Sequence, residues 1–184
     1  ILNGGYINTS TFSSGDAGSV RVSAGSLSID GQGAGAGIGS DPYGASGNTG
    51  NAGSIDVAVL GHIHILRGGY IDASTFSAGD AGSVKVRAGS LSIDGQGLGA
   101  GITSGAYTGS TGRTGNVEVL ATGNMLILDG GYIDSSTTSS SDAGAVRVSA
   151  HNLTIDGHGY KTGISSDAAF GSTGKAGSVD VHAT

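Results

Sequence analysis

Three acidic residues at matching positions, Asp16, Asp80 and Asp142, are the first places to look for acid–base chemistry in this 184-residue chain. A glycosidase or lyase needs two carboxylates flanking one scissile bond, with environments that push their pKa values apart. These three instead sit one per repeat, beside small residues that favour turns. Repeated placement suits turn hydrogen bonding better than a single active site, so no catalytic residue is assigned. His62 and His64 alternate along one extended segment and share a face, which is the spacing of a two-histidine metal pair. A third ligand does not follow, because the residues matching His64 are Ser28, Ser92, Leu126 and Thr154. His151, His158 and His182 are scattered. The Asp-Gly-x-Gly turns at Asp30, Asp94 and Asp156 each bring a single carboxylate, whereas calcium takes six to eight oxygens. No metal and no cofactor is expected.

Tyrosines offer a different chemistry, an apolar ring with one polar handle that suits sugars. Tyr6, Tyr70 and Tyr132 recur at matching positions, and Tyr43, Tyr107 and Tyr160 fall in or near segments of variable length. All six are candidate contacts for a glycan or a receptor. The Ser/Thr groups at Thr9–Thr11, Ser74–Thr75 and Ser135–Thr138 belong to alternate repeats. They therefore do not form the continuous flat array that an ice-binding face requires.

Positioning such residues falls to an unusual chain. Gly supplies 38 residues, Cys and Trp none, and only 12% of the chain is charged. The formal charge of -6 is spread without a basic block, which excludes the phosphate-binding patch of a nucleic-acid partner. No run of about 20 apolar residues is present to span a bilayer as a helix. The absence of Cys excludes a disulfide framework and a thiolate metal site.

A six-residue motif recurs, beginning at Ala17, Ala52, Ala81, Thr114, Ala143 and Ala176. Its first aliphatic residues, Val20, Ile55, Val84, Val117, Val146 and Val179, are separated by 35, 29, 33, 29 and 33 residues. Within each unit three apolar groups follow in order, as in Val20/Val22, Leu27/Ile29 and Ile38. Spacing at i, i+2 with Val and Ile is the signature of short strands. The expected fold is all-β, a right-handed single-stranded parallel β-helix (β-solenoid) with three short strands per coil and coils of about 29–35 residues. It is expected to run through residues 1–184 as one continuous segment of about five to six coils.

Two columns follow from stacking such coils. The outward position of the first strand reads Arg21, Asp56, Lys85, Glu118, Arg147 and Asp180, a charge ladder of alternating sign. The position before the third-strand Ile reads Tyr6, Gly37, Tyr70, Gly101, Tyr132 and Gly163, so each Tyr can lie over a neighbouring bare Gly. The true period is then a double coil, with repeats at approximately 5–68, 69–130 and 131–184. After the third strand, connections of 12 residues alternate with connections of 14 or 16. Length variation at one corner is what a solenoid tolerates, and such a corner is often its binding face.

Ile1 matches Ile65 and Ile127, and Thr184 matches Thr122, so the chain reads as an interior excerpt of a longer repeat protein. The neighbours expected at its ends are further coils of a longer chain or end-to-end stacked copies. The succession Asp80-Ala81-Gly82-Ser83-Val84-Lys85-Val86, Leu91-Ser92-Ile93 and Gly69-Tyr70-Ile71-Asp72-Ala73-Ser74-Thr75-Phe76, echoed in every unit, resembles the repeat region of filamentous-haemagglutinin-like exoproteins of the two-partner secretion type. That resemblance implies export through an outer-membrane partner barrel, right-handed helical rods, and commonly an adhesin. The expected role is a structural shaft or fibre segment of a secreted or cell-surface adhesin-like protein, without catalysis. The competing expectation is a repeated glycan- or receptor-binding surface built from the tyrosines and corner loops.

Overall fold

The computed structural model describes residues 1–42, 49–107 and 109–184. Strands and turns account for its regular structure, and no described residue is helical. The chain winds through three parallel sheets, two of six strands and one of five, in which each strand pairs with its equivalent one coil away. The architecture is the β-solenoid expected from the sequence, with three strands per coil. Six rungs result, each passing through sheet A, then sheet B, then sheet C.

Sheet A contains Leu27–Asp30, His62–Leu66, Ser90–Asp94, Asn124–Leu128 and Asn152–Asp156. On the first rung Leu2 bridges to Asp30 and extends this row by one residue. Sheet B contains Tyr6–Asn8, Ala36–Gly39, Gly69–Asp72, Ala100–Thr103, Gly131–Asp134 and Gly163–Ser165. Sheet C contains Val20–Ala24, Ile55–Val59, Val84–Ala88, Val117–Ala121, Ala145–Ala150 and Ser178–Ala183.

The period-2 aliphatics supply the interior. Ile65 and Ile93 in sheet A, Ile71, Ile102 and Ile133 in sheet B, and Val57, Val86 and Val119 in sheet C are buried in one cluster. Full burial of each such side chain is worth about 1.5–3 kcal/mol. The Gly and Ser residues of the repeat have a separate task, closing the corner between sheets B and C. Gly18, Gly53, Gly82, Gly115, Gly144 and Gly177 form a column at this corner. A Cβ on Gly53, Gly82, Gly115, Gly144 or Gly177 would approach the carbonyl oxygen of the glycine one rung earlier to 1.9–2.1 Å. The recurrent Ala-Gly or Thr-Gly step is therefore a consequence of rung spacing at a tight corner.

Buried hydroxyls stitch the same corner. Ser40 donates to the Gly18 carbonyl at 2.6 Å, Ser135 to that of Gly115 at 2.7 Å, and Ser166 to that of Gly144 at 2.5 Å; Ser104 donates likewise to Gly82. Each bond joins one rung to the rung before it. An unpaired buried carbonyl would cost about 1–3 kcal/mol, so this column resolves a problem that the glycine corner creates.

Replacing Gly115 with Ala is expected to destabilise the chain by about 1–3 kcal/mol through overpacking. Replacing Gly25, around which a Cβ would meet nothing within 4 Å, is expected to change stability by less than about 0.5 kcal/mol. Urea denaturation of both variants checks the contrast.

Candidate functional site

The outer surface of sheet B carries the tyrosine column. Tyr6, Gly37, Tyr70, Gly101, Tyr132 and Gly163 are successive register partners. The rings of Tyr70 and Tyr132 lean one way. A Cβ on Gly37 would meet Tyr70 Cδ2 at 2.5 Å, and one on Gly101 would meet Tyr132 Cε2 at 2.4 Å. Each of these two tyrosines thus covers the glycine of the preceding rung. Tyr70 and Tyr132 are half-buried, whereas Tyr6 has no earlier rung beneath it and is 70% exposed.

Two residues along the same strands lies a polar column of Asn8, Gly39, Asp72, Thr103, Asp134 and Ser165. The corner loop of the fourth rung folds back over it. The Tyr107 hydroxyl pairs with Thr103 Oγ1 at 3.0 Å, and its ring centroid lies 5.3 Å from that of Phe76. Burial raises the Tyr107 phenol above its usual pKa, the Thr103 bond opposes this, and the fields of Asp72 and Asp134 add to the rise. Asp72 Oδ1 accepts the Ser74 amide at 2.9 Å and the Ser74 hydroxyl. Desolvation nevertheless dominates and pushes the Asp72 carboxyl up to about 6. Asp134 accepts the Ser136 hydroxyl and, at 2.7 Å, the Ser165 hydroxyl. These carboxylates are engaged by serines of their own and the next rung rather than paired for acid–base chemistry.

Of the remaining tyrosines, Tyr160 is 54% exposed and its ring lies about 3.0 Å from where a Gly97 Cβ would sit. Tyr43 lies outside the described residues. The structure therefore brings Tyr70, Tyr107 and Tyr132 to one face and leaves Tyr160 at the turn between sheets A and B. An open groove of about 450 Å³ on the last rung is lined by Tyr132, Asp134, Lys161, Ser165, Asp167 and Ala169. Ala169 occupies the place that Tyr107 holds two rungs earlier, where the tyrosine covers the column instead.

The charge ladder occupies the outer surface of sheet C. Arg21, Asp56, Lys85, Glu118, Arg147 and Asp180 are register partners in that order. Close pairing is selective. Lys85 Nζ reaches Glu118 at 2.9 Å and Arg21 approaches Asp56 at 3.7 Å, but the nearer partner of Asp56 is Arg87 at 2.9 Å. Arg87 is one residue beyond Val86 on the same outer face as Lys85, so it competes with the ladder residue for the same carboxylate.

A second charged column, not anticipated as one, runs through Asp16, Asn51, Asp80, Arg113, Asp142 and Lys175 at the approach to sheet C. The three Asp residues do not close turns within their own loops, as turn chemistry suggested. Their Oδ1 atoms accept backbone amides from the next rung, Asn51, Arg113 and Lys175, each at 2.8 Å. Neighbouring rungs supply the missing signal: aligning residues five before the ladder exposes the alternation.

His62 and His64 are exposed, with ring centroids 6.2 Å apart, and Ser90 contacts His62 Nδ1. Among the described residues, no group of three or more His, Asp or Glu gathers as a metal site. At the turns between sheets A and B, Arg67 pairs with Asp30 and holds that carboxyl below its usual range, while His158 lies 2.7 Å from Asp129. All three Asp-Gly-x-Gly turns thus present their carboxylates to protein partners, Asp30 to Arg67, Asp94 to the Gln96 side-chain amide at 3.3 Å and Asp156 to His158 at 3.1 Å.

The neutral form of Asp72 favours the fold, because its folded pKa is raised. That contribution is complete below the ordinary value of 3.8 and is lost as pH rises through about 6. Asp72→Asn keeps an oxygen for Ser74 and is expected to raise the melting temperature at about pH 8 while leaving it unchanged near about pH 3.5. Thermal melts across pH check the sign. Tyr132→Ser is expected to cost about 1–2 kcal/mol by uncovering Gly101, and Tyr6→Ser close to nothing; chemical denaturation separates them.

In comparisons with known proteins, the chain matches no family model, no curated protein and no solved structure.

Proposed function

We propose that this chain is a shaft or fibre segment of a secreted, cell-surface, adhesin-like protein, and that it has no catalytic role. One observation carries the reading: the outward charge column runs from Arg21 to Asp180 without losing register at any rung. A surface that repeats its chemistry at every rung is suited to length and stiffness. An active site requires the opposite, a singular convergence of groups with matched pKa values. At a strand spacing of about 4.8 Å, six rungs rise roughly 29 Å, which makes the segment a short length of rod. The resemblance of the Asp-Ala-Gly-Ser and Gly-Tyr-Ile motifs to filamentous-haemagglutinin-like repeats supports export and surface display.

A second reading has its own observation. The groove on the last rung combines an aromatic ring, Tyr132, with the carboxylates of Asp134 and Asp167 and the ammonium of Lys161. Stacking plus directional hydrogen bonds is the chemistry that holds a sugar. In this reading the tyrosine face and its corner loops act as a repeated glycan- or receptor-binding surface.

Replacing Tyr6, Tyr70 and Tyr132 together with Ser separates the two. A shaft is expected to lose stability by about 2–4 kcal/mol, the sum of two uncovered glycines, with no glycan retained by the parent chain on an array. Retention of a glycan by the parent, lost in a variant that still shows a cooperative melt, would overturn the shaft reading in favour of the binding surface.

A further inference from the structure

Two exposed leucines on interior rungs flank one groove at the end of sheet C's outer face. Leu60 on the second rung is 91% exposed and Leu120 on the fourth is 37% exposed. The groove, of about 810 Å³, is lined by Ala58, Val59, Ala88 and Gly89 together with these leucines. The strands beneath it are paired on both edges, Ile55–Val59 with the first and third rungs and Val84–Ala88 with the second and fourth. This exposure therefore belongs to the face and not to the ends of the stack. An apolar groove with protruding leucines and a charged rim has the form of a protein contact surface.

What fits that surface follows from how the second and third rungs match each other. The outward residues of the second rung are Asp56, Ala58 and Leu60, and those of the third are Lys85, Arg87 and Gly89. Asp56 and Lys85 are opposite in charge. Ala58 and Arg87 are opposite in size, and so are Leu60 and Gly89. Gly89 lies one rung beyond Leu60, and a Cβ there would meet the Leu60 carbonyl oxygen at 2.6 Å, so this position is held to glycine by the corner itself.

A twofold axis laid along the strands, between the second and third rungs, exchanges these rungs between two facing copies. It sets Lys85 against the partner's Asp56, Arg87 over the partner's Ala58 and Leu60 over the partner's Gly89, and every pair occurs twice. Sheets packed face to face lie about 10 Å apart, which leaves room for side chains from both. Other placements fit less well. An axis through the third rung sets Lys85 against Lys85. An axis one rung further on keeps the charges opposite but sets Arg87 against Leu120 and Leu60 against His151, large on large. A twofold along the stack, through the middle column, sets Arg87 against Arg87. Charge and size are satisfied together by the first placement.

We propose that copies of this chain pair side by side and antiparallel through the outer face of sheet C, with Leu60 of each seated in the groove of the other. The inference rests on the shaft reading and names its partner, a second copy lying alongside. Because the same patch serves both members, the contact closes on itself and association stops at two. The tyrosine face on sheet B stays uncovered in such a pair.

The test uses the 184-residue chain. Sedimentation over a concentration series is expected to show a monomer–dimer equilibrium that weakens as salt screens the charged pairs. Leu60→Ser removes an exposed side chain, so it is expected to leave the urea midpoint unchanged and to weaken dimerisation about tenfold. Lys85→Asp and Asp56→Lys are prepared as separate variants, each checked for a cooperative melt. Each alone sets like charges together in its own dimer and is expected to dimerise about fivefold more weakly. Mixing the two restores opposite charges throughout. The aspartate introduced on one chain faces the lysine introduced on the other, and unaltered Asp56 faces unaltered Lys85. The mixture is therefore expected to recover parental association. A parent that stays monomeric, or that grows beyond the dimer without limit, overturns the pairing. So does Leu60→Ser dimerising as well as the parent, and so do charge variants that match the parent alone or stay weak when mixed. If a charge variant fails to fold, Leu60→Ser and the salt dependence decide. A monomeric parent with a cooperative melt and no retained glycan leaves the shaft reading standing, so the two failures are distinguishable.

Discussion

Parallel stacking at one strand spacing is the constraint on which the rest of this structure depends. Each backbone strand finds its hydrogen-bond partners in the coil above and below, so any residue type recurring at one position becomes a continuous column. The interior follows directly, because Ile and Val at the inward positions meet their own kind on every rung. So does the need for glycine at the corner between sheets B and C, where the chain of one rung lies against the carbonyl of the last. Even the buried serines answer to it, since their hydroxyls reach a carbonyl one rung away.

Stacking also turns the outer surface into a set of columns in which like neighbours would repel and bulky neighbours would collide. The chain meets this by alternation. Cation follows anion in sheet C, and Tyr follows Gly in sheet B. Exposed charge pairs contribute little to stability individually, about 0–1 kcal/mol. Their larger effect is on register, because shifting by one coil inverts every pair at once. The double coil is consequently the smallest unit that can be repeated without penalty, although one coil is enough to build the backbone.

The surface near Asp72 illustrates a local departure from that regularity. Tyr107 folds over the polar column on one rung, and its place two rungs later is taken by Ala169, beside an open groove. Variation of this kind sits in the corner loops, where a change of length or side chain leaves the ladders intact. The scaffold and the displayed chemistry are therefore separable in this fold, and loop residues can diverge without altering the sheets.

The period of about 30 residues, the three strands per coil and the members of the ladder and Tyr/Gly columns were all legible in the amino-acid order. An i, i+2 aliphatic pattern repeated in register has few other ways to bury itself. What the linear order could not decide is which side chains meet. Tyr70 covers Gly37 of the earlier rung and not Gly101 of the later one, because the ring leans in one direction along the stack. Asp56 is taken by Arg87, the diagonal neighbour two residues beyond its register partner Lys85, more closely than by Arg21 of the earlier rung, a choice made by side-chain direction. Asp16, Asp80 and Asp142 bond forward to the next rung's amides, a choice made by how the corners lie over one another. Sequence determined the columns because backbone periodicity sets them, while side-chain direction and corner geometry, which only the folded stack defines, decided the contacts within them.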